Sequence, residues 1–238
     1  MKNTLLRILT DMIYPRRCPV CDRAVRPFGS LVCGTCKDEF EYIKEPYCMK
    51  CGKALGEEEA EYCSDCRRHR HLFDRGRALY SYGSTSDSVY RFKYRGRQEY
   101  AAYYAECIAE QLGEWIRRCR PDALIPVPIH ESKRRSRGYN QAEVLAKELG
   151  GRMDIPVETD LIKRARKTVP MKDLSLSERQ NNLKRAFKIC RNDVKLNTIV
   201  IIDDIYTTGS TIDAMSYELR RAGVERIYFV TLAIGNGL

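Results

Sequence analysis

The sequence predicts an α/β fold, a parallel sheet flanked by helices, with a small cysteine-rich zinc-binding region ahead of it. Three observations carry this. Thr198-Ile-Val-Ile-Ile202 is a β-branched apolar run with no polar face, too short for a helix and suited to a strand buried on both sides. After Gly209 the apolar period becomes helical, with Ile212, Met215, Leu219 and Ala222 on one face that stops at Gly223. Eight of the eleven cysteines fall in the first third of the chain as four Cys-x-x-Cys pairs.

A chain of 238 residues holds one α/β domain of ordinary size plus something smaller. The change in character after Cys66 divides it into residues 1–72 and 73–238. No apolar run approaches the roughly 18 residues of a membrane span. Leu5, Leu6, Leu9, Met12 and Ile13 recur at helical spacing, but Arg7 and Asp11 interrupt them and no small-residue cleavage site follows. The segment is therefore expected to be a short helix packed on the protein body, not a secretory signal; peripheral association with a membrane surface is the alternative. Together these features lead us to expect a cytoplasmic protein.

The cysteine pairs are Cys18/Cys21, Cys33/Cys36, Cys48/Cys51 and Cys63/Cys66, each separated from the next by eleven residues. Without a secretion signal, regular pairs of this kind suit tetrahedral thiolate coordination of zinc better than disulfides. Equal gaps leave the pairing open. Cys21-Asp-Arg-Ala-Val25 is echoed 30 residues later by Cys51-Gly-Lys-Ala-Leu55, whereas Cys36 is followed by Lys-Asp-Glu-Phe40. That repeat favours two tandem ribbons over an interleaved, cross-braced arrangement: Cys18, Cys21, Cys33 and Cys36 on one Zn²⁺, and Cys48, Cys51, Cys63 and Cys66 on a second. Four thiolates leave no position open for water, so both ions are expected to be structural. His69 and His71 are expected to be ordinary surface residues. Eight thiolates on two zinc ions would reduce the formal charge from +10 to +6, still basic. A basic chain favours nucleic acid or another polyanion, although solubility alone would also explain it.

Next, Arg77-Ala-Leu-Tyr-Ser-Tyr82 alternates as a strand. In Ser88 to Arg97, aromatic and basic residues interleave, so Lys93, Tyr94, Arg95 and Arg97 are candidates for single-stranded nucleic acid. An amphipathic segment burying Val89, Phe92 and Tyr94 beneath solvated cations fits equally well. A helix is predicted from about Glu99 to Arg118, with Ala101, Ala105, Ile108, Leu112 and Trp115 or Ile116 on its inner stripe. Cys107, Cys119 and Cys190 have no partner at ligand spacing and are expected to be reduced packing residues.

Ala123 to Pro128 reads as a strand ended by its prolines. A basic loop with His130, Lys133, Arg134, Arg135 and Arg137 follows, then a helix from Asn140 to Leu149. Lys133, Arg134 and Arg137 are candidates for an anion site, because a loop after a sheet strand should face the same edge as the turn after Asp204. Beyond residue 163 the chain has a strand-like start and a long polar middle in which Ser175 and Glu178 can form a capping box. A loop this long beside a ligand site could close over it.

The central strand runs into Asp203 and Asp204 and then a hydroxyl-rich turn, Thr207-Thr-Gly-Ser-Thr211. Backbone N–H groups and hydroxyls at a helix start favour a phosphate. Two carboxylates at a strand end accept hydrogen bonds from sugar hydroxyls or hold Mg²⁺ through water. No Gly-Lys-Ser/Thr follows the glycine, so this is not a P-loop. The combination points to a sugar phosphate.

All thirteen positions from Ile199 to Thr211 fit the phosphoribosyl pyrophosphate (PRPP) signature of type I phosphoribosyltransferases. The resemblance implies a phosphoribosyltransferase-like sheet, with Asp203 and Asp204 on the ribose hydroxyls. It places Tyr206, Thr207, Thr208, Gly209, Ser210 and Thr211 in the PRPP-binding segment, the 5'-phosphate on the loop, and Mg²⁺ with the ligand. The likeness extends further. Tyr14-Pro-Arg-Arg-Cys-Pro-Val-Cys21, the ribbon region, Lys93-Tyr-Arg-Gly96, Pro126-Val-Pro128, Arg137-Gly-Tyr-Asn-Gln-Ala142, Thr168, Leu174-Ser175, Glu178-Arg179, Asn182 and Ala186-Phe187 occur in that order. The chain thus resembles the ComF family of late competence proteins over nearly its whole length. One departure is Met171, where that family commonly has glutamine.

The resemblance implies a competence accessory protein that handles incoming single-stranded DNA in natural transformation. Its implied partners are single-stranded DNA, PRPP or a related phosphosugar, and other DNA-uptake proteins. If it is also a catalyst, the reaction is displacement of Mg²⁺-bound pyrophosphate at the anomeric carbon by a nitrogen nucleophile; no general base is identifiable from spacing. The alternatives are a nucleobase-salvage phosphoribosyltransferase and an interaction module with a vestigial sugar site.

Overall fold

A computed structural model describes residues 14–56, 61–165, 186–191 and 195–235. The expected N-terminal helix over Leu5 to Ile13, the Ser175 capping box, Thr168 and Met171 lie outside the described residues.

In chain order the elements are α1 (Ser64–Arg68), β1 (Arg75–Ser81), α2 (Tyr82–Tyr94), α3 (Tyr100–Cys119), β2 (Ala123–Pro126), α4 (Glu131–Arg137) and α5 (Gln141–Met153). They continue with β3 (Ile162–Arg164), β4 (Phe187–Ile189), β5 (Thr198–Tyr206), α6 (Ser210–Arg221) and β6 (Arg226–Ile234). The main sheet has the order β1-β6-β5-β2, and every pairing in it is parallel. A separate antiparallel pair joins β3 to β4.

The apolar run dictates its central place. Ile199 and Ile201 of β5 pack with Met215 and Leu219 of α6 on one face. Val200 and Ile202 pack with Ile108 and Leu112 of α3 and with Leu145 and Leu149 of α5 on the other. Burying such side chains contributes roughly 1.5–3 kcal/mol each before ordering costs. The predicted stripe of α3 is buried at Ala101, Ala105, Ile108, Leu112 and Ile116, and the burial spreads to Tyr100, Tyr103, Tyr104 and Cys107. That breadth suits a helix covered on more than one side.

The ribbons dock along the β1 edge. Ile43 N–H donates to Leu79 O at 3.0 Å, Ser81 N–H to Glu41 O at 3.0 Å, and Gly76 N–H to Lys50 O at 2.8 Å. Cys48, Cys51 and Cys63 join the same apolar cluster as Phe73 and Phe229. The ribbon chain thereby satisfies backbone groups that an open edge would leave unpaired.

Two local readings are corrected. Residues 131–137 form helix α4, not a loop. Glu131 pairs with Arg135 one turn on, the His130 ring accepts from Ser132 N–H at 3.2 Å, and Gly138 ends the helix at φ 81°. The interleaved stretch from Ser88 belongs to α2, which buries Thr85, Ser88, Val89 and Phe92; Tyr94 is 54% exposed.

Candidate phosphosugar site and zinc centres

The strict alternation of β5 breaks at its acids. Ile205 falls with Val200 and Ile202 on one face, and Tyr206 falls with Ile199 and Ile201 on the other. Asp204 N–H donates to its neighbour's Asp203 Oδ1 at 2.8 Å, a local bond of the kind that competes with regular strand geometry. Asp204 is buried and forms an ion pair with Lys93 Nζ at 3.0 Å. Burial, and then the charge of Asp204, push the Asp203 carboxyl up to about 8, against the opposing pull of Lys93 and Arg164. Both causes favour a proton on Asp203. A protonated Asp203 can donate to a sugar oxygen while Asp204 accepts from a hydroxyl.

The loop follows directly. Thr207 and Thr208 are exposed, while Ser210 and Thr211 are half-buried. Thr208 Oγ1 lies 3.2 Å from Ser210 Oγ. Gly209 takes φ 77° at the N-cap of α6. A Cβ there would lie 2.5 Å from Tyr206 Oη and 3.0 Å from His71 Cε1, so both conformation and space require glycine. The first N–H groups of α6 have no partner within the helix and can donate to a phosphate. Asp213, in the first turn, is occupied elsewhere: it accepts from Leu72 N–H at 2.7 Å and pairs with His71 Nδ1 at 2.7 Å. His71 is thus a buried strut between the second ribbon's exit and the 207–211 loop, not the surface residue expected from the sequence.

Cations arrive from three further elements. Lys133 of α4 has its ammonium pushed down, first by burial and then by Arg164, Arg137 and Lys93. Burial is the main cause, and Arg164, Arg137, Lys93 and the acid Asp204 are its charged neighbours. Arg137 donates to Gln141 Oε1 and to Tyr94 Oη, each at 3.0 Å, with its guanidinium 4.6 Å from the Tyr94 ring centre. Arg134 pairs with Glu143 at 3.3 Å.

Both cysteine tetrads assemble as the tandem ribbons. The sulfurs of Cys18, Cys21, Cys33 and Cys36 lie within 4.8 Å of one another, as do those of Cys48, Cys51, Cys63 and Cys66. The 30-residue repeat is visible in the backbone. Asp22 N–H donates to Cys18 O at 2.9 Å, and Gly52 N–H donates to Cys48 O at 2.8 Å. Both residues have positive φ, and the bridges Arg17–Ala24 and Tyr47–Ala54 repeat the register. Four clustered thiolates from two such turns fit one Zn²⁺ per ribbon and do not fit the cross-braced pairing.

The comparisons with known proteins agree with this architecture. Residues 9–67 match the family description of a double zinc ribbon domain, and residues 135–237 match that of a phosphoribosyl transferase domain. Competence protein F of Haemophilus influenzae is 30% identical over 227 residues, covering 91% of this chain and 96% of that protein. The chain belongs to the ComF family. Competence protein ComFC of Bacillus subtilis is 27% identical over 199 residues, 76% of this chain and 74% of its own. The DNA utilization protein YhgH of Escherichia coli K12 is 25% identical over 214 residues, 88% of this chain and 86% of its own.

In this ComF chain the sequence-derived candidates divide by position. Asp203, Asp204, Thr207, Thr208, Gly209, Ser210 and Thr211 share one sheet edge with Lys133. The Tyr206 ring is instead buried, stacked on Phe229 at 4.9 Å, so only its backbone belongs to that edge. Lys93, expected at nucleic acid, is committed to Asp204. Arg97 is committed to Asp22 of the first ribbon, at 2.9 and 3.2 Å, where Tyr100 Oη also donates at 2.7 Å. Tyr94 and Arg95 remain exposed. Sequence reasoning missed the placement of Arg164 beside Asp203 and the pairing of Lys93 with Asp204. Nothing local marks Arg164. The Lys93-Tyr-Arg-Gly96 stretch did mark Lys93, but its alternating chemistry suggested a different partner.

Proposed function

We propose that this ComF chain is a cytoplasmic competence protein that handles single-stranded DNA and binds PRPP with Mg²⁺ at the C-terminal edge of its sheet. One observation carries the reading: an adjacent acid pair, a glycine-capped hydroxyl loop and cations from α2, α4 and β3 converge on a single edge. This is the chemistry of a pentose diol flanked by two phosphate groups. Asp203 and Asp204 hold the ribose hydroxyls, residues 207–211 hold the 5'-phosphate, and Lys133, supported by Arg134 and Arg137, neutralises pyrophosphate. Mg²⁺ bound with PRPP would supply charge stabilisation to the leaving pyrophosphate, and Asp204 is the acid suited to hold it through water. The chain's own contribution is positioning and charge neutralisation, which displacement at an anomeric carbon requires.

The names of the competence and DNA-utilization relatives support the DNA part, as does the basic charge of the chain. Other DNA-uptake proteins are its expected partners. The test is calorimetric titration of zinc-loaded protein with PRPP and Mg²⁺, and with single-stranded oligonucleotides at two salt concentrations. The reading predicts binding of both, with DNA affinity falling steeply as salt rises. Pyrophosphate release with a supplied nucleobase, without DNA binding, would replace it with a salvage enzyme. Failure to bind PRPP would leave an interaction module.

A further inference from the structure

Helix α2 presents two different faces. Thr85, Ser88, Val89 and Phe92 are buried, and Lys93 reaches the acid pair. Tyr90 and Tyr94, one turn apart, are 53% and 54% exposed, with ring centres 5.1 Å apart and planes tilted by 45°. Neither ring belongs to a core cluster, although Phe92, Tyr100 and Tyr104 close by are fully buried. Apart from each other and the Arg137 contact of Tyr94, the two half-exposed rings have no aromatic or core partner among the described residues.

The surroundings specify what would cover them. Arg137 lies over Tyr94 and donates to its hydroxyl, and Arg95 is exposed at the end of the helix with no ion pair among the described residues. Lys133 has Arg137 and Lys93 among its charged neighbours, with Asp204 as the opposing acid. Asp87 is the exposed acid on this helix, one turn before Tyr90. Half-exposed rings beside cations match a chain of bases joined by phosphates. An apolar protein partner would leave these cations without a counter-charge.

We propose that Tyr90 and Tyr94 are the base-stacking platform for single-stranded DNA, beginning where the phosphosugar pocket ends. The proposal rests on the reading that the chain handles single-stranded DNA, and it names the surface responsible. One turn of α2 then serves both ligands: Lys93 faces the acids that take the sugar, and Tyr94 faces the strand. Arg137, one of the residues expected at pyrophosphate, is shared with the platform.

The experiment measures binding of the full-length, zinc-loaded protein to a fluorescent oligothymidylate across a salt series. Wild type is compared with Tyr90→Ala, Tyr94→Ala, the double variant and Tyr94→Phe. Base–aromatic stacking is worth about 1–3 kcal/mol per base, so each alanine variant should lose roughly 5- to 150-fold in affinity. Tyr94→Phe should retain most of it. The slope of log affinity against log salt should be unchanged in the alanine variants, because stacking releases no counterions, whereas Arg95→Ala should reduce it. Two zinc ions per chain and an unchanged urea-unfolding midpoint in each variant serve as the folding control. If wild type binds the oligonucleotide and the double variant binds it equally well, the platform is refuted while the DNA-handling reading stands. If wild type binds no DNA, both fail. If free thymidine competes at micromolar concentration, the tyrosines form a pocket for a single base, and the strand platform is overturned.

Discussion

Asp203 gives the site a signature in stability that requires no ligand. Its carboxyl titrates near 3.8 in the unfolded chain and is pushed up to about 8 in the fold by burial and by Asp204. Below pH 4 both states are protonated and the group contributes nothing. Between pH 4 and pH 8 the native state keeps a proton that the unfolded state has lost, so stability falls as pH rises, by at most about 1.4 kcal/mol per unit. Above pH 8 the penalty is constant. Asp203→Asn removes this titration and keeps an oxygen to accept from Asp204 N–H. From pH 5.5 to pH 8 the ceiling on the difference between variant and wild type is about 3 kcal/mol. Asp203 retains some solvent contact and shares its charge with Asp204, so we expect on the order of 2 kcal/mol. The assay is urea unfolding followed by Trp115, the single tryptophan, whose ring lies 5.9 Å from Tyr228 of β6 and reports on the sheet. A stability difference that is the same at both pH values would refute the reasoning. So would a variant that becomes relatively less stable as pH rises.

Two further outcomes follow from the geometry. Gly209→Ala forces a Cβ into left-handed backbone and to 2.5 Å from Tyr206 Oη; it should cost about 2–4 kcal/mol, from backbone strain and overpacking together, measured by the same urea unfolding. Because the fold carries two separate cysteine tetrads, metal analysis should find two zinc ions per chain, and Cys51→Ser should lose one while the first ribbon keeps its own. Loss of both ions from that single change would contradict independent tandem ribbons.

Much of this fold can be read from the sequence because its strongest signals are local. The run Ile199–Ile202 has no polar face to offer water, so it becomes a central strand, and the change of period after Gly209 marks α6. The tandem ribbons were legible because the residues after Cys21 and Cys51 repeat while those after Cys36 do not. What escaped were effects set by distant partners. Residues 131–137 read as a basic, anion-binding loop, yet the Glu131–Arg135 pair and the Gly138 stop make them a helix. Lys93 and Arg97 looked equivalent in an aromatic and basic stretch, but tertiary contacts send one to Asp204 and the other to Asp22. Alternation predicts opposite faces for Asp203 and Asp204; it does not predict the side-chain bond at Asp204 N–H or the break that turns Tyr206 into the core. Arg164 of β3 is brought near Asp203 by tertiary structure alone.

The central claim is that one sheet edge holds a phosphorylated pentose. Its most direct test is amide chemical-shift mapping of the zinc-loaded protein during titration with PRPP and Mg²⁺. The account predicts the largest shifts at residues 203–211, especially Gly209, Ser210 and Thr211, with a second group at residues 133–137 and at Lys93. Shifts confined to other surfaces, or none at millimolar PRPP, would contradict it.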